Sequence, residues 1–502
     1  MSLSRKIAQN TAIQVGGKMI GTVLSLIAAG FVLRHLGDSG FGRYTTIVSF
    51  LQIFGTVADF GLYIVLLKKI STVEQGTRSK LVNTIFTLRV LSAVVFLGSA
   101  PLIAWIISLS HPLYGGEVLW GILLTTLFFF FISMNQLLSA IFQKFLRTDW
   151  IAVGELIGKS VLLVTTIVVV FSGWGLIPIM LTLVVSSGAN FFTQFIASRK
   201  YIKLGFHLNT QHVKEVFREA WPIALSIGLV LLYFKGDTVL LTFFENDQVV
   251  GWYGAPYKIL EVMVTFPAMF AGLALPVMTK AWHDKDTERF KRTLQKSFDA
   301  MVIIAIPLIV GTWMVAPFIM QVLAGDAFKN SVVVLNILII PTAAIFLGTL
   351  FGYLVVSLNK QKSMIWGYGF VAVTSFLAYL VVIPRFSMIG AAWVTTYSEI
   401  AVMIIAMWIT LHTSKIKLKY NMVWKAIIGS FGMFFGLMIV GVLSFQLTGD
   451  DFFGLRFESF TTFSAMHLAI DVPVAIISYI LVMIVLKAVT KKEMKELLSL
   501  KS

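Results

Sequence analysis

Residues 13–33 read IQVGGKMIGTVLSLIAAGFVL, a run whose one charged residue is Lys18. A helix rises about 1.5 Å per residue, so a run of this length covers the roughly 30 Å of hydrocarbon in a bilayer. Lipid offers no partner to a free backbone N–H or C=O, so such a run crosses as a helix. Outward from it the pattern recurs, giving about fourteen apolar stretches that begin near residues 12, 41, 81, 115, 150, 174, 220, 248, 296, 330, 362, 388, 421 and 464. The composition of the 502 residues agrees: 58% are hydrophobic, 13% are charged, and mean hydropathy is +0.88. A water-facing surface needs more charge than that. The sequence predicts an all-α polytopic membrane protein.

The net charge of +16 does not point to nucleic acid, because no long soluble basic segment exists to carry such a site. About 30 of the 40 basic residues fall in alternate breaks between stretches, among them Lys68 and Lys69, Lys144 and Arg147, Lys203 and Lys214, Arg289 and Lys291, and Lys415 and Lys417. The opposite breaks hold only Arg34, Arg43, Lys329, Arg385 and Arg456. By the positive-inside rule the richer side is cytoplasmic, with both termini on it. A cleaved secretory leader at the N-terminus is disfavoured, since residues 13–33 are long enough to span and cleavage would spoil the even count. Cysteine is absent, which excludes disulfides and thiolate metal sites.

An internal repeat lies on top of this periodicity. Gly42-Arg43-Tyr44 opens the second span and Gly251-Trp252-Tyr253 the eighth, each after an acidic turn, Gly37-Asp38-Ser39-Gly40 in one case and Glu245-Asn246-Asp247 in the other. Phe171-Ser172-Gly173-Trp174-Gly175 resembles Phe386-Ser387-Met388-Ile389-Gly390 in the same way. Two six-helix lobes follow, 1–198 and 220–413, joined by a linker at 199–219, with two further spans in 414–502. In the linker Val213, Val216, Phe217 and Trp221 share one helical face and Lys214, Glu215 and Arg218 the other. That pattern predicts an amphipathic segment along the inner surface, unless it is a plain connector.

Leu36-Gly37-Asp38-Ser39-Gly40-Phe41-Gly42-Arg43-Tyr44, running on to Ala58-Asp59-Phe60-Gly61-Leu62, resembles the opening of the Wzx-type polysaccharide-biosynthesis flippases of the multidrug/oligosaccharidyl-lipid/polysaccharide exporter superfamily. Lys235-Gly236-Asp237-Thr238, Val250-Gly251-Trp252-Tyr253-Gly254-Ala255-Pro256-Tyr257-Lys258-Ile259, Pro267 and Ala274-Leu275-Pro276 resemble the opening of that family's second half. The resemblance implies a flippase that moves a polyprenyl-diphosphate-linked oligosaccharide from the cytoplasmic to the outer leaflet of a bacterial inner membrane, by alternating access and without covalent catalysis or a cofactor. It also implies a V of two lobes around a cavity lined by spans one, two, seven and eight, and a lipid-tail role for spans thirteen and fourteen. Membrane lipids, H+ or Na+, and polysaccharide-assembly membrane proteins are the implied partners.

Charges inside spans are the candidate site residues, because each costs a few kcal/mol in hydrocarbon unless paired or wet. Lys235, Asp237, Lys258 and Glu261 fall at comparable depth in spans seven and eight, so Lys235 can meet Glu261, and Asp237 can meet Lys258. They either line a polar cavity whose cations receive the diphosphate, or form ion pairs that set helix register. Arg89, Lys18 and Arg34 are further cavity cations, although Lys18 can instead snorkel to the interface and Arg34 can simply end span one. Asp59 has no charged counterpart in the second lobe; it either couples to an ion or neutralises a cation such as Arg89. Glu155 and Lys159 suit a pair within one helix. Glu399 and the His467/Asp471 pair stay open between coupling and structure.

Gly154-Glu155-Leu156-Ile157-Gly158-Lys159-Ser160 imitates a phosphate loop but is one residue short and lies within a span. None of the seven histidines has metal-ligand spacing. A multidrug antiporter of the same fold is the first rival; it should favour carboxylates and aromatics, whereas the buried set here mixes lysines and arginine with its acids. A glycan polymerase or ligase is the second, and the longest outer loop, 447–463, offers it only Asp450, Asp451, Arg456 and Glu458.

Overall fold

The computed structural model describes residues 3–72, 75–448 and 461–488. Helix α1 covers Leu3–Asp59, α2 Leu62–Thr72, α3 Gln75–Ser108, α4 Gly116–Lys144, α5 Asp149–Phe171, α6 Leu176–Ser198 and α7 Thr210–Phe244. Then come α8 Asp247–His283, α9 Thr287–Ala324, α10 Ser331–Leu338, α11 Ile340–Ser357, α12 Gln361–Ser414, α13 Asn421–Thr448 and α14 Thr461–Val485. No strand occurs among the described residues. The outer loop around Asp450 and Arg456 lies outside them, as does the side chain of His467.

Among the described residues twelve separate stretches, not fourteen, are long and apolar enough to cross a membrane. The difference has a physical origin. Two of the twelve, Gly16–Ile70 with 55 residues and Gln361–Ser414 with 54, would extend for about 80 Å if straight, more than twice the hydrocarbon thickness. Each contains a residue far from helical geometry, Gly37 (φ 65°, ψ −174°) in the first and Ser387 (φ 51°, ψ −140°) in the second. Predicted spans one and two therefore share α1, and eleven and twelve share α12.

The chain forms two compact units, one of residues 1–255 with 372–391, the other of 256–371 with 392–502. In the first, Ile47, Leu51, Leu97, Ile122 and Met180 make one buried cluster and Leu66, Ile85, Ile141, Phe142 and Val216 another. In the second, Met433, Leu437, Tyr479 and Met483 join α13 to α14, and Tyr479 donates to the Ile303 carbonyl of α9 at 2.9 Å.

Lipid is as apolar as leucine, so helices in a membrane associate through close packing rather than water exclusion, and small residues allow it. The false phosphate loop shows this. A Cβ on Gly154 would lie 2.6 Å from Asn190 Oδ1, and one on Gly158 would lie 2.9 Å from Asn190 Cβ. The glycines four apart are the face on which α5 meets α6.

The residues of the predicted linker are partly helical. Their helical part is the beginning of α7, unbroken from Thr210. Val216 is fully buried in one cluster with Leu62, Val65 and Leu66 of α2, whereas Phe217 and Trp221 are exposed.

Candidate functional site

The predicted second span is broken. After Asp59 the chain passes through Phe60 (φ 46°) and Gly61 (φ 71°), both left-handed, and resumes as α2. A non-glycine residue in that region costs about 1–2 kcal/mol, and a helix end within a membrane leaves carbonyls that no water can satisfy. Helix α3 supplies the donors. Ser92 Oγ donates to the Ala58 carbonyl at 2.7 Å, and Arg89 Nη1 donates to the Asp59 carbonyl at 3.0 Å. The same guanidinium pairs with the Asp59 carboxylate, donates to the Ser133 carbonyl from Nε (3.3 Å) and Nη2 (3.2 Å), and reaches Gln136 Oε1 at 2.5 Å. Its positive charge also suits the negative end of the helix dipole.

Arg89, a candidate cavity cation in the sequence, is 1% exposed and donates to α1 and α4. Asp59 meets Arg89, the second of the two partners considered for it. Below the break, Phe60 stacks on Phe217 at 5.1 Å, Lys68 pairs with Glu219, and Lys69 lies between Glu215 (3.5 Å) and Glu219 (3.2 Å). Segment α2 is bound to the start of α7.

Lys235 and Asp237 are buried within α7. Tyr253 donates to Asp237 Oδ2 at 2.6 Å, Thr238 N and Oγ1 donate to Oδ1, and Lys235 Nζ lies 5.5 Å from the Phe234 ring centroid. The hydroxyl of Tyr379 donates to the Tyr233 carbonyl at 3.0 Å. Lys258 and Glu261 pair with each other within α8 at 3.2 Å, across one turn. Asp237 thus has a tyrosine partner on α8 and Lys258 a partner on its own helix. Arg34 is exposed next to His35, whose Nε2 lies 2.7 Å from the Trp174 carbonyl. Lys18 is exposed and acts electrostatically on Glu155, as does Lys159. Glu399 is buried within electrostatic reach of Tyr368, and Asp471 is buried in α14. Among the described residues no three His, Asp or Glu converge as metal ligands.

The repeat motifs turn out to touch. A Cβ on Gly42 would clash with the Asp247 carbonyl, and one on Gly251 with the Asp38 carbonyl; a Cβ on Gly254 would lie 2.5 Å from Thr45 Oγ1. At the repeat offset Asp38 corresponds to Asp247, Gly42 to Gly251 and Thr45 to Gly254, so the contact is reciprocal, each motif seated on its own counterpart. Arg43, read from the sequence as a topology signal and as part of the repeat motif, brackets this contact: Nε donates to Asp247 and Nη1 to Glu117, both at 2.9 Å. Gln248 Nε2 donates to Asp38 at 2.6 Å. Its acidic partners come from α4 and α8, which no local pattern links.

Residues 7–282, more than half of the chain, match the profile of the polysaccharide biosynthesis protein family. The chain belongs to that family. Within the polysaccharide biosynthesis proteins, a Shigella flexneri protein named "Putative O-antigen transporter" is 24% identical over 344 residues, which is 66% of this chain and 81% of that one. Among solved structures the fold matches the lipid II flippase MurJ in its inward closed conformation, with a TM-score of 0.76 and 13% identity over 95% of this chain and 98% of MurJ. It also matches an inward-facing multidrug resistance MATE family transporter of the MOP superfamily, with a TM-score of 0.64 and 12% identity over 81% of this chain and 97% of that one. This polysaccharide biosynthesis protein is a multi-pass membrane protein with the fold of those transporters.

Proposed function

We propose that the protein is a flippase carrying polyprenyl-diphosphate-linked oligosaccharide from the cytoplasmic to the outer leaflet of the bacterial inner membrane, for surface polysaccharide biosynthesis. Family membership over residues 7–282 is the observation that carries this reading, and the name of the Shigella flexneri relative points to the same class of cargo. The chemistry agrees with an anionic cargo. Lys235 and Lys258 put cations into spans seven and eight, where a diphosphate would otherwise cross hydrocarbon uncompensated.

In this reading α1 and α12 each make two passes, giving fourteen, with both termini cytoplasmic. Lobes 1–198 and 220–413 rock by alternating access, and 414–502 adds the final pair. The multidrug antiporter alternative fits less well, because buried cations disfavour cationic drugs. Deleting the protein and identifying the lipid-linked glycan that accumulates tests the proposal. A glycan held on the cytoplasmic leaflet is expected; unchanged distribution between leaflets would overturn the reading.

A further inference from the structure

We propose that Lys18, Glu155 and Lys159 form a binding site for the phosphate of a lipid on the face shared by α1 and α5. The two helices run side by side at close range. A Cβ on Gly17 would lie 3.0 Å from Ala152 Cβ, and a Cβ on Gly21 would lie 3.5 Å from Lys159 Cγ. The stem of Lys159 therefore lies across α1 one turn from Lys18. Glu155 sits one turn before Lys159 on α5, and both lysines act on it electrostatically. The carboxylate is half-buried, whereas both lysines are exposed.

Charge balance then decides what the group does. Two cations and one carboxylate leave a net positive charge inside membrane-spanning helices. Such a charge costs a few kcal/mol unless it reaches water or an anion. Lys159 lies ten residues into α5, about 15 Å along the helix, and lysine stems of this kind reach toward the headgroup layer. In the headgroup layer that these stems extend toward, the abundant anion is a lipid phosphate, which accepts charge-assisted hydrogen bonds from ammonium groups. Glu155 holds the lysines together when the site is empty and competes with the phosphate for them.

Two lipids present this chemistry, an ordinary anionic phospholipid and an isoprenoid diphosphate; the second case rests on the flippase reading and the first does not. Native mass spectrometry of the purified protein, with phosphatidylglycerol and undecaprenyl diphosphate as separate probes, distinguishes them. The Lys18→Gln/Lys159→Gln double variant is expected to lose about tenfold or more in affinity for at least one probe, as when one charge-assisted hydrogen bond is removed. Lys18→Arg/Lys159→Arg should retain binding. Loss for the diphosphate alone marks a site for substrate, and loss for both marks a general lipid site. Glu155→Gln, which removes the competitor, should tighten binding and serves if the double variant folds poorly. Unchanged binding of both probes across these variants would overturn the proposal. Because binding is read without transport, failure here is separate from failure of the flippase reading, which the glycan-accumulation experiment tests.

Discussion

Arg89 joins two problems that one residue solves. It is the counter-charge of Asp59 and the donor for the last carbonyl of α1. Arg89→Gln should destabilise the protein by about 3–5 kcal/mol, the cost of leaving one member of a buried ion pair uncompensated. Asp59→Asn in the same chain should recover part of that loss, read as the unfolding midpoint in detergent; a double variant no more stable than Arg89→Gln would refute the pairing. If an ion gradient drives transport, protonation of Asp59 or cation capture there dissolves the pair. Flipping in vesicles should then respond to an imposed H+ or Na+ gradient, and Asp59→Asn should weaken that response. Lys235→Ala and Lys258→Ala should each lower glycan export about tenfold at normal membrane levels, with arginine rescuing better than glutamine. Normal export by both would leave them as structural charges.

At the scale of elements, the break between α1 and α2 concentrates the constraints. Gly61 combines a φ of 71° with a Cβ position 2.9 Å from Ile223 and 3.2 Å from the Ala220 carbonyl. Gly61→Ala is expected to cost about 1–3 kcal/mol through backbone strain and overpacking. Gly228, in the same region of sequence space but within regular α7, has nothing within 4 Å of its Cβ position, so Gly228→Ala should be neutral or slightly stabilising. Equal unfolding midpoints for the two variants would contradict the geometry. The exposed lysine–glutamate pairs that tie α2 to α7 should matter less, about 0–1 kcal/mol each.

For the whole molecule, sidedness is the sharpest test. The chain has no cysteine, so single substitutions label against a clean background. Ser110, Ser172, Lys203 and Asp284 are exposed in connections between helices, and the proposed topology assigns the first two to the outer side and the last two to the cytoplasm. Cysteines at 110 and 172 should react with a membrane-impermeant maleimide in intact cells, and cysteines at 203 and 284 only after permeabilisation. The reverse pattern would invert the topology.

The sequence by itself determined the all-helical membrane character, the starts of α4, α5, α6, α8, α10, α12, α13 and α14 to within about three residues, and the family, because each rests on local periodicity or short contiguous motifs. Span length is dictated by bilayer thickness, and the hydropathy of a run of residues reports it directly. Even Ser387, where α12 turns, fell within a motif already visible as a repeat of Phe171-Ser172-Gly173. Only the tertiary structure decided which charges meet. Asp59 and Arg89 lie in different helices, Arg43 draws its partners from α4 and α8, and Lys258 pairs with Glu261 one turn along its own helix. The rotation of each helix about its axis and the closeness of its packing select these partners. Those in turn depend on small residues such as Gly42, Gly154 and Gly251, whose meaning appears only when the facing helix is known.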